Sequence, residues 1–112
     1  LAAGETLTQS VLSNRWFLEP RLSIRDVASR MGTNETYVSR ALNIDIGKTF
    51  NRFINELRVE HAKALIQSRN DNFLTIAMDS GFNSKATFNR VFRDIAGETP
   101  STFKKRMAET IS

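Results

Sequence analysis

The sequence predicts an all-α fold in which two helix-turn-helix subdomains are joined by a long central helix, about seven helices in all. Three observations carry that prediction. Apolar residues recur at three- and four-residue spacings through most of the chain, whereas alternating strand-like runs are scarce. Glycine or proline stands where the periodic segments end or begin. The same pattern also occurs twice: Val27-Ala28 and Gly32 recur as Ile76-Ala77 and Gly81 at an offset of 49, and Val38, Arg40, Leu42, Gly47, Thr49 and Phe53 recur as Phe88, Arg90, Phe92, Gly97, Thr99 and Phe103 at an offset of 50. One residue is therefore inserted between the glycine and the second helix of the later copy, and the chain reads as two equivalent units.

The first helix is expected over about Thr8–Leu18, with Val11, Leu12 and Trp16 along an inward side, and it must stop before Pro20. Ser23-Ile24-Arg25-Asp26 has the form of a capping box, so a helix starts at Ile24 and ends at Gly32, where a left-handed turn is needed. Asn34 caps the next helix, about Glu35–Asn43, which turns Tyr37, Val38, Ala41 and Leu42 inward and Thr36, Ser39, Arg40 and Asn43 outward. Gly47 and Thr49 separate it from a long helix, about Phe50–Ser68, whose apolar stripe includes Phe53, Ile54, Leu57, His61 and Leu65. After the turn Asn70-Asp71-Asn72, a short helix over Leu74–Ser80 ends at Gly81. Asn83 or Ser84 then caps a helix over Lys85–Ala96, with Phe88, Val91, Phe92 and Ile95 inward and Ala86, Asn89, Arg90 and Arg93 outward. Thr99-Pro100 opens a last helix running to about Met107.

A chain of 112 residues that is 40% apolar is large enough for a modest core. The reading divides it into a leading linker at 1–7, a first subdomain with the connecting helix at 8–68, and a second subdomain at 69–112. It opens on Leu1 rather than Met, and a longer parent protein is expected. Sixteen Lys and Arg against twelve Asp and Glu give a net charge of +4, which suits polyanionic partners without requiring one. The absence of cysteine excludes disulfides, thiolate nucleophiles and cysteine zinc sites. With a single histidine, no glycine-rich phosphate loop and no paired acids at a catalytic spacing, no enzyme, metal site or cofactor is expected; His61 reads as a packed or partly buried side chain.

A major groove about 12 Å wide accepts one α-helix, and a helix-turn-helix presents that helix while its predecessor braces it. Arg40 and Arg90 occupy the same outward place on equivalent helices, and a guanidinium donates two bonds to O6 and N7 of guanine. Asn89 can pair with adenine, Thr36 and Ser39 can bond a base edge or a phosphate, and Ala86 can touch a thymine methyl. Lys48, Lys85, Arg93 and the run Lys104-Lys105-Arg106 can neutralise phosphates, joined by turn hydroxyls and helix N-termini. A lone surface arginine is usually just solvated, and a basic run near a terminus is often a solubilising tail; the duplication of Arg40 as Arg90 argues against the first of these.

Ile76-Ala77, Gly81-Phe82-Asn83-Ser84, Phe88-Asn89-Arg90-Val91-Phe92, and Gly97-Glu98-Thr99-Pro100-Ser101 closely resemble the signature of AraC/XylS-type transcription regulators. Gly47, Phe53, Ile54, Arg58 and Ala62 also sit where that family has its first-copy end and linker helix. The resemblance covers about Leu12 to Arg106 and implies a seven-helix C-terminal DNA-binding domain whose two recognition helices enter successive major-groove segments. It places base contacts on Thr36, Ser39 and Arg40 in the first copy and on Lys85, Ala86, Asn89 and Arg90 in the second. Phosphate contacts are expected at Asn34, Lys48, Asn83, Ser84, Arg93 and Lys104. Copy one departs from the pattern in having Leu42 where an aromatic is frequent. The Leu42-Asn43 pair and Phe53-Ile54-Asn55 look similar to a subgroup with membrane-embedded or other sensory segments ahead of this domain. The partners implied are double-stranded promoter DNA, RNA polymerase, and an effector bound by a sensor domain outside this chain; the parent is expected to be bacterial, to work in the cytoplasm at the nucleoid, and to form dimers. The alternative is a helical protein-interaction module, which the polar outward faces disfavour because they supply few apolar anchors. Unspecific nucleic-acid packaging is a third reading.

Overall fold

Ser23 Oγ accepts the Asp26 backbone N–H at 3.1 Å while the Asp26 carboxylate accepts the Ser23 N–H at 3.0 Å, so the capping box read from the sequence is formed and launches α2 (Ile24–Arg30). Its counterpart in the second copy is Asn72, whose side-chain oxygen accepts the Thr75 N–H at 2.8 Å and launches α5 (Phe73–Asp79). The computed structural model describes residues 3–111; residues 1–2, which belong to the expected linker, and residue 112 lie outside the described residues. Within them there are seven α-helices: α1 (Ala3–Ser13), α2, α3 (Glu35–Arg40), α4 (Phe50–Ser68), α5, α6 (Lys85–Ala96) and α7 (Pro100–Ile111).

The glycine turn that ends the bracing helix is built alike in both copies. Gly32 and Gly81 adopt φ of +71° and +92°, a region in which a Cβ is strained, and the following residue donates back to the end of the bracing helix: Thr33 N–H to Ala28 C=O at 2.9 Å, Phe82 N–H to Ala77 C=O at 3.0 Å. Because Thr33 and Phe82 are thus equivalent, the inserted residue of the second copy is Asn83, which is exposed. Asn34 caps α3 by accepting the Tyr37 N–H at 2.8 Å, and Ser84, rather than Asn83, caps α6 by accepting the Thr87 N–H at 3.1 Å.

Five expectations are corrected. The first helix starts at Ala3 and ends at Ser13 instead of spanning Thr8–Leu18, so the described part of the expected linker is helical. Its Gly4, Leu7 and Val11 form a buried stripe, and Arg15, at a left-handed φ of +56°, breaks the chain into a separate 3₁₀ turn, Trp16–Leu18. In that turn Phe17, not Trp16, is the core residue; Trp16 is half-buried with the Arg30 guanidinium 5.4 Å from its ring centroid, and Leu12 is exposed. The presented helix of copy one does not run as one α-helix to Asn43: after Arg40 it widens into a π-helical stretch, Ala41–Ile46, with the Gly47 N–H reaching five residues back to Leu42 C=O at 2.6 Å. The wide turn is where α1 docks. The Gly4 N–H donates to the Asp45 carboxylate at 2.9 Å, and a Cβ on Gly4 would come within 2.7 Å of Asp45 Cβ. Tyr37, expected inside, is exposed, since Val38, Ala41 and Leu42 fill the inward face. Finally, α7 continues to Ile111, because no glycine or proline follows Pro100 to stop it at Met107.

The chain forms two compact units, one through Asn55 and one from Glu56, and α4 contributes residues to both. Phe53 and Ile54 are buried among the residues of the first unit, together with Leu7, Val11, Val27, Val38 and Leu42. The second unit is centred on phenylalanine rings in series: Phe82 to Phe88 at 5.3 Å between centroids, Phe88 to Phe92 at 5.7 Å and Phe92 to Phe103 at 5.7 Å, all edge-to-face. Val59, Ala62, Ile76 and Ala77 pack around them, and His61 is half-buried on α4. Phe92→Ala is expected to cost about 3–5 kcal/mol in urea denaturation, since the ring is fully buried and contacts two others. Ser80→Ala should act oppositely. Among the described residues the buried Ser80 hydroxyl has no hydrogen-bond partner, so its removal is expected to raise stability by about 1 kcal/mol in the same assay.

Candidate nucleic-acid interface

The inward residues fix what each presented helix shows to solvent. In the first unit Val38, Ala41 and Leu42 are buried, which leaves Thr36, Tyr37, Arg40, Asn43 and Ile44 exposed and Ser39 half-buried. Thr36, Tyr37, Arg40 and Ile44 share one concavity of about 380 Å³, closed at its sides by Ala3, Asn34 and Asp45. In the second unit Phe88, Val91 and Phe92 are buried, and Lys85, Ala86, Asn89, Arg90 and Arg93 are all exposed. Asn89, Arg90 and Arg93 line a second concavity, about 390 Å³, together with Thr99, Pro100 and Ser101 at the start of α7. Thr99 caps that helix by accepting the Thr102 N–H at 3.1 Å, as Thr49 caps α4 by accepting the Arg52 N–H at 3.1 Å.

The structure therefore gathers Thr36 with Arg40, and Asn89 with Arg90 and Arg93. Among the described residues neither Arg40 nor Arg90 makes an ion pair. Other candidates are already engaged. The oxygen of Asn34 is spent on its cap, leaving its amide N–H groups to donate outward. The Ser84 hydroxyl both caps α6 and bonds Thr87 Oγ1 at 3.0 Å, and Ser84 is half-buried. Lys48 is half-buried and has a partner of its own.

The basic run on α7 is divided by its surroundings. Lys104 Nζ lies 3.4 Å from Asn70 Oδ1 and 5.8 Å from the Phe73 ring centroid. Arg106 is committed to Glu98 through a bidentate pair, with Nη2 2.6 Å from Oε2. Lys105 is exposed. The sequence reading passed over Tyr37 and Ile44, which share the concavity with Arg40; the signal that points to Ile44 is an isoleucine at an outward register next to a charged residue.

Comparison with known proteins places this geometry. The helix-turn-helix domain model of AraC type matches residues 27–106, from the bracing helix of copy one to the last helix. The chain belongs to the AraC-type helix-turn-helix family. It is 30% identical over 83 residues to an uncharacterized HTH-type transcriptional regulator of Staphylococcus aureus (strain COL), a match covering 74% of this chain and 11% of that protein. It is 28% identical over 91 residues to the HTH-type transcriptional regulator YisR of Bacillus subtilis (strain 168), covering 81% of this chain and 32% of YisR. The chain thus corresponds to a minor part of each relative's length. The fold superimposes on the C-terminal domain of AraT, a response regulator from Geobacillus stearothermophilus, with a TM-score of 0.84 at 21% identity, over 95% of this chain and 86% of that one. A transcriptional regulator with an AraC-type DNA-binding domain from Chromobacterium violaceum gives 0.81 at 25% identity, covering 91% of each chain.

Three carboxylates that hold this framework lie below the usual carboxylate range: Glu98 through its bonds from Arg106, Glu19 through its bonds from Arg30, and Asp26 through the Ser23 backbone and hydroxyl. A depressed folded-state value means the stabilisation is complete above the unfolded value and is lost as pH falls through the folded one. Stability is therefore expected to be flat near neutrality and to decline once pH drops below about 4, with Glu98→Gln showing a shallower decline in urea melts taken across that range.

Proposed function

We propose that each unit inserts its presented helix into a major-groove segment of double-stranded DNA and reads its sequence there. DNA binding in the regulation of transcription comes with the family. The observation that supports sequence reading is that Arg40 and Arg90 stand at equivalent, exposed positions, without an ion pair among the described residues, on two helices braced by similar turns. In this reading Thr36, Ser39 and Arg40 face bases from the first unit and Lys85, Ala86, Asn89 and Arg90 from the second. Arg40 and Arg90 each donate to guanine O6 and N7, and Asn89 to adenine. Asn34, Lys48, Asn83, Ser84, Arg93 and Lys104 lie along the phosphates, with the α7 N-terminus beside Arg93 adding backbone donors. Half-buried Ser39 and Lys48 are the weaker members of these sets.

The chain then acts as the output domain of a longer regulator, working in the cytoplasm on promoter DNA alongside RNA polymerase. A sensor segment elsewhere in the parent binds an effector, and the parent dimerises. The small share that the matching region occupies in its relatives supports this division of labour. Among the described residues no helix is long and apolar enough to cross a membrane, so an anchor of the kind suggested by the resemblance would lie in other segments.

Competition separates this reading from its rivals: binding to a duplex selected from a random library should survive excess random DNA, whereas a packaging protein would be titrated away and a protein-interaction module would select nothing. Arg90→Ala is expected to weaken binding to the selected duplex by about 1–3 kcal/mol and relax preference at one base pair, while Lys104→Ala weakens all duplexes alike and lowers the salt slope by about 1. Equal loss on selected and random duplex for Arg90→Ala would refute the base-reading role.

A further inference from the structure

We infer that the first unit reads thymine, through the C5-methyl group, with Tyr37 and Ile44 on either side of Arg40; this rests on the reading that α3 enters a major groove. Tyr37 is 44% exposed and Ile44 is 69% exposed, the latter the most exposed of the large hydrophobic side chains described. Neither exposure follows from the repeat. The equivalent places in the second copy, Thr87 and Asp94, are polar, so an apolar flank on the presented helix belongs to the first unit alone.

Tyr37 stands three positions before Arg40 and Ile44 four after it, a spacing that keeps all three on one side of a helix, and the π-helical stretch carries the chain on past Ile44 to Gly47. Tyr37, Arg40 and Ile44 accordingly line one concavity with Thr36, and a surface that meets the Arg40 guanidinium also meets the two apolar groups. Electrostatics favour the same division. On the first helix and its continuation Arg40 is opposed by Glu35 and Asp45, the latter bonded to the Gly4 N–H, whereas the second carries Lys85, Arg90 and Arg93 against Asp94 alone. With no net positive charge of its own, the first helix contributes to recognition chiefly through contacts that are not coulombic. Thymine is the base that presents an apolar group in the major groove, and isoleucine and the tyrosine ring are complementary to it. The operator half read by this unit should therefore hold a guanine with thymines in the neighbouring base pairs. A partner-protein helix is the rival occupant, disfavoured because Asn34, Thr36 and Arg40 are interleaved with the apolar pair.

The test uses the chain with a duplex selected from a random library, in which each thymine is replaced in turn by deoxyuridine, which lacks only the methyl group. Anisotropy titration is expected to show about a fourfold loss of affinity for each contacted methyl, the factor that follows from burying one such group. Tyr37→Ala or Ile44→Ala should abolish the thymine–uracil discrimination at one position while leaving the thermal melt unchanged, and Arg90→Ala should retain that discrimination despite weaker binding. Tight binding to the selected duplex with no uracil effect, or discrimination unaltered in both variants, overturns the thymine inference and leaves DNA reading intact. Unchanged affinity for every duplex in both variants hands the patch to a protein partner, also overturning it. Enrichment of no duplex at all would overturn both.

Discussion

The rotation of each presented helix about its own axis is the constraint on which the rest of the molecule depends. A helix end can be braced and capped and still show any face; what fixes the face is a pair of buried side chains four residues apart, Val38 with Leu42 in one unit and Phe88 with Phe92 in the other. Once those are inside, Arg40 and Arg90 must be outside, about two residues' rotation from each buried position. The turn glycines and capping residues then set where the helix starts, and therefore how far along it each outward side chain stands. Function at these surfaces is in this sense a by-product of core packing: a change that lets either helix roll would move every outward side chain together.

The two units solve the same problem with different materials. The second uses edge-to-face rings from Phe82 to Phe103, large rigid groups with defined mutual geometry. The first has aliphatic residues at the matching places, Val38 and Leu42 for Phe88 and Phe92, and its presented helix finishes in a π-helical stretch where the second remains α-helical to Ala96. Smaller side chains leave room that α1 fills, through Leu7 and Val11 and through the bond from Gly4 to Asp45. In the second unit α4 supplies Val59 and Ala62 beside the rings instead, and these different packings give a physical reason for the two outward faces to differ although the frames match.

Much of this was legible in the residues because repeats and caps are local. The glycine turn, the Ser23–Asp26 box, the Asn34 cap and the Thr99-Pro100 start depend on residues within a few positions of one another, and they form as read. What was not legible involves residues far apart in the chain. The start of α1 is marked in the opening residues only by the spacing of Gly4, Leu7 and Val11, whereas the bond that ties its first turn down, from Gly4 to Asp45, joins residues 41 positions apart. The widening after Arg40 lies where α1 docks. Tyr37 was misplaced because a wheel assigns an aromatic beside Val38 to the core by hydrophobicity, while Val38, Ala41 and Leu42 already occupy the available interior. On the presented helices the outward arginines followed from the repeat, whereas Ile44, whose counterpart Asp94 is polar, has no echo in the second copy to mark it.

The fate of each polar candidate follows from whether its chemistry is already used. A hydroxyl that caps its own helix, as Ser84 does, has an acceptor committed and is held half-buried, so it can steady a phosphate but has little freedom to search a base edge. Arg106 has one N–H edge of its guanidinium bonded to the Glu98 carboxylate and lies 5.6 Å from the Phe103 ring centroid, and a polyanion would have to displace the carboxylate to recruit that edge. Arg40, Arg90 and Asn89 carry no such commitment among the described residues, and each sits on a rigid helix rather than on a loop. Donors that need not first break an internal bond, on a frame whose rotation is fixed by buried neighbours, lose little on meeting the correct partner and gain nothing from an incorrect one. In the proposed reading, that asymmetry is what lets a small helical domain discriminate among sequences: the side chains engaged within the fold position the helix, and those left unengaged are the ones assigned to the bases.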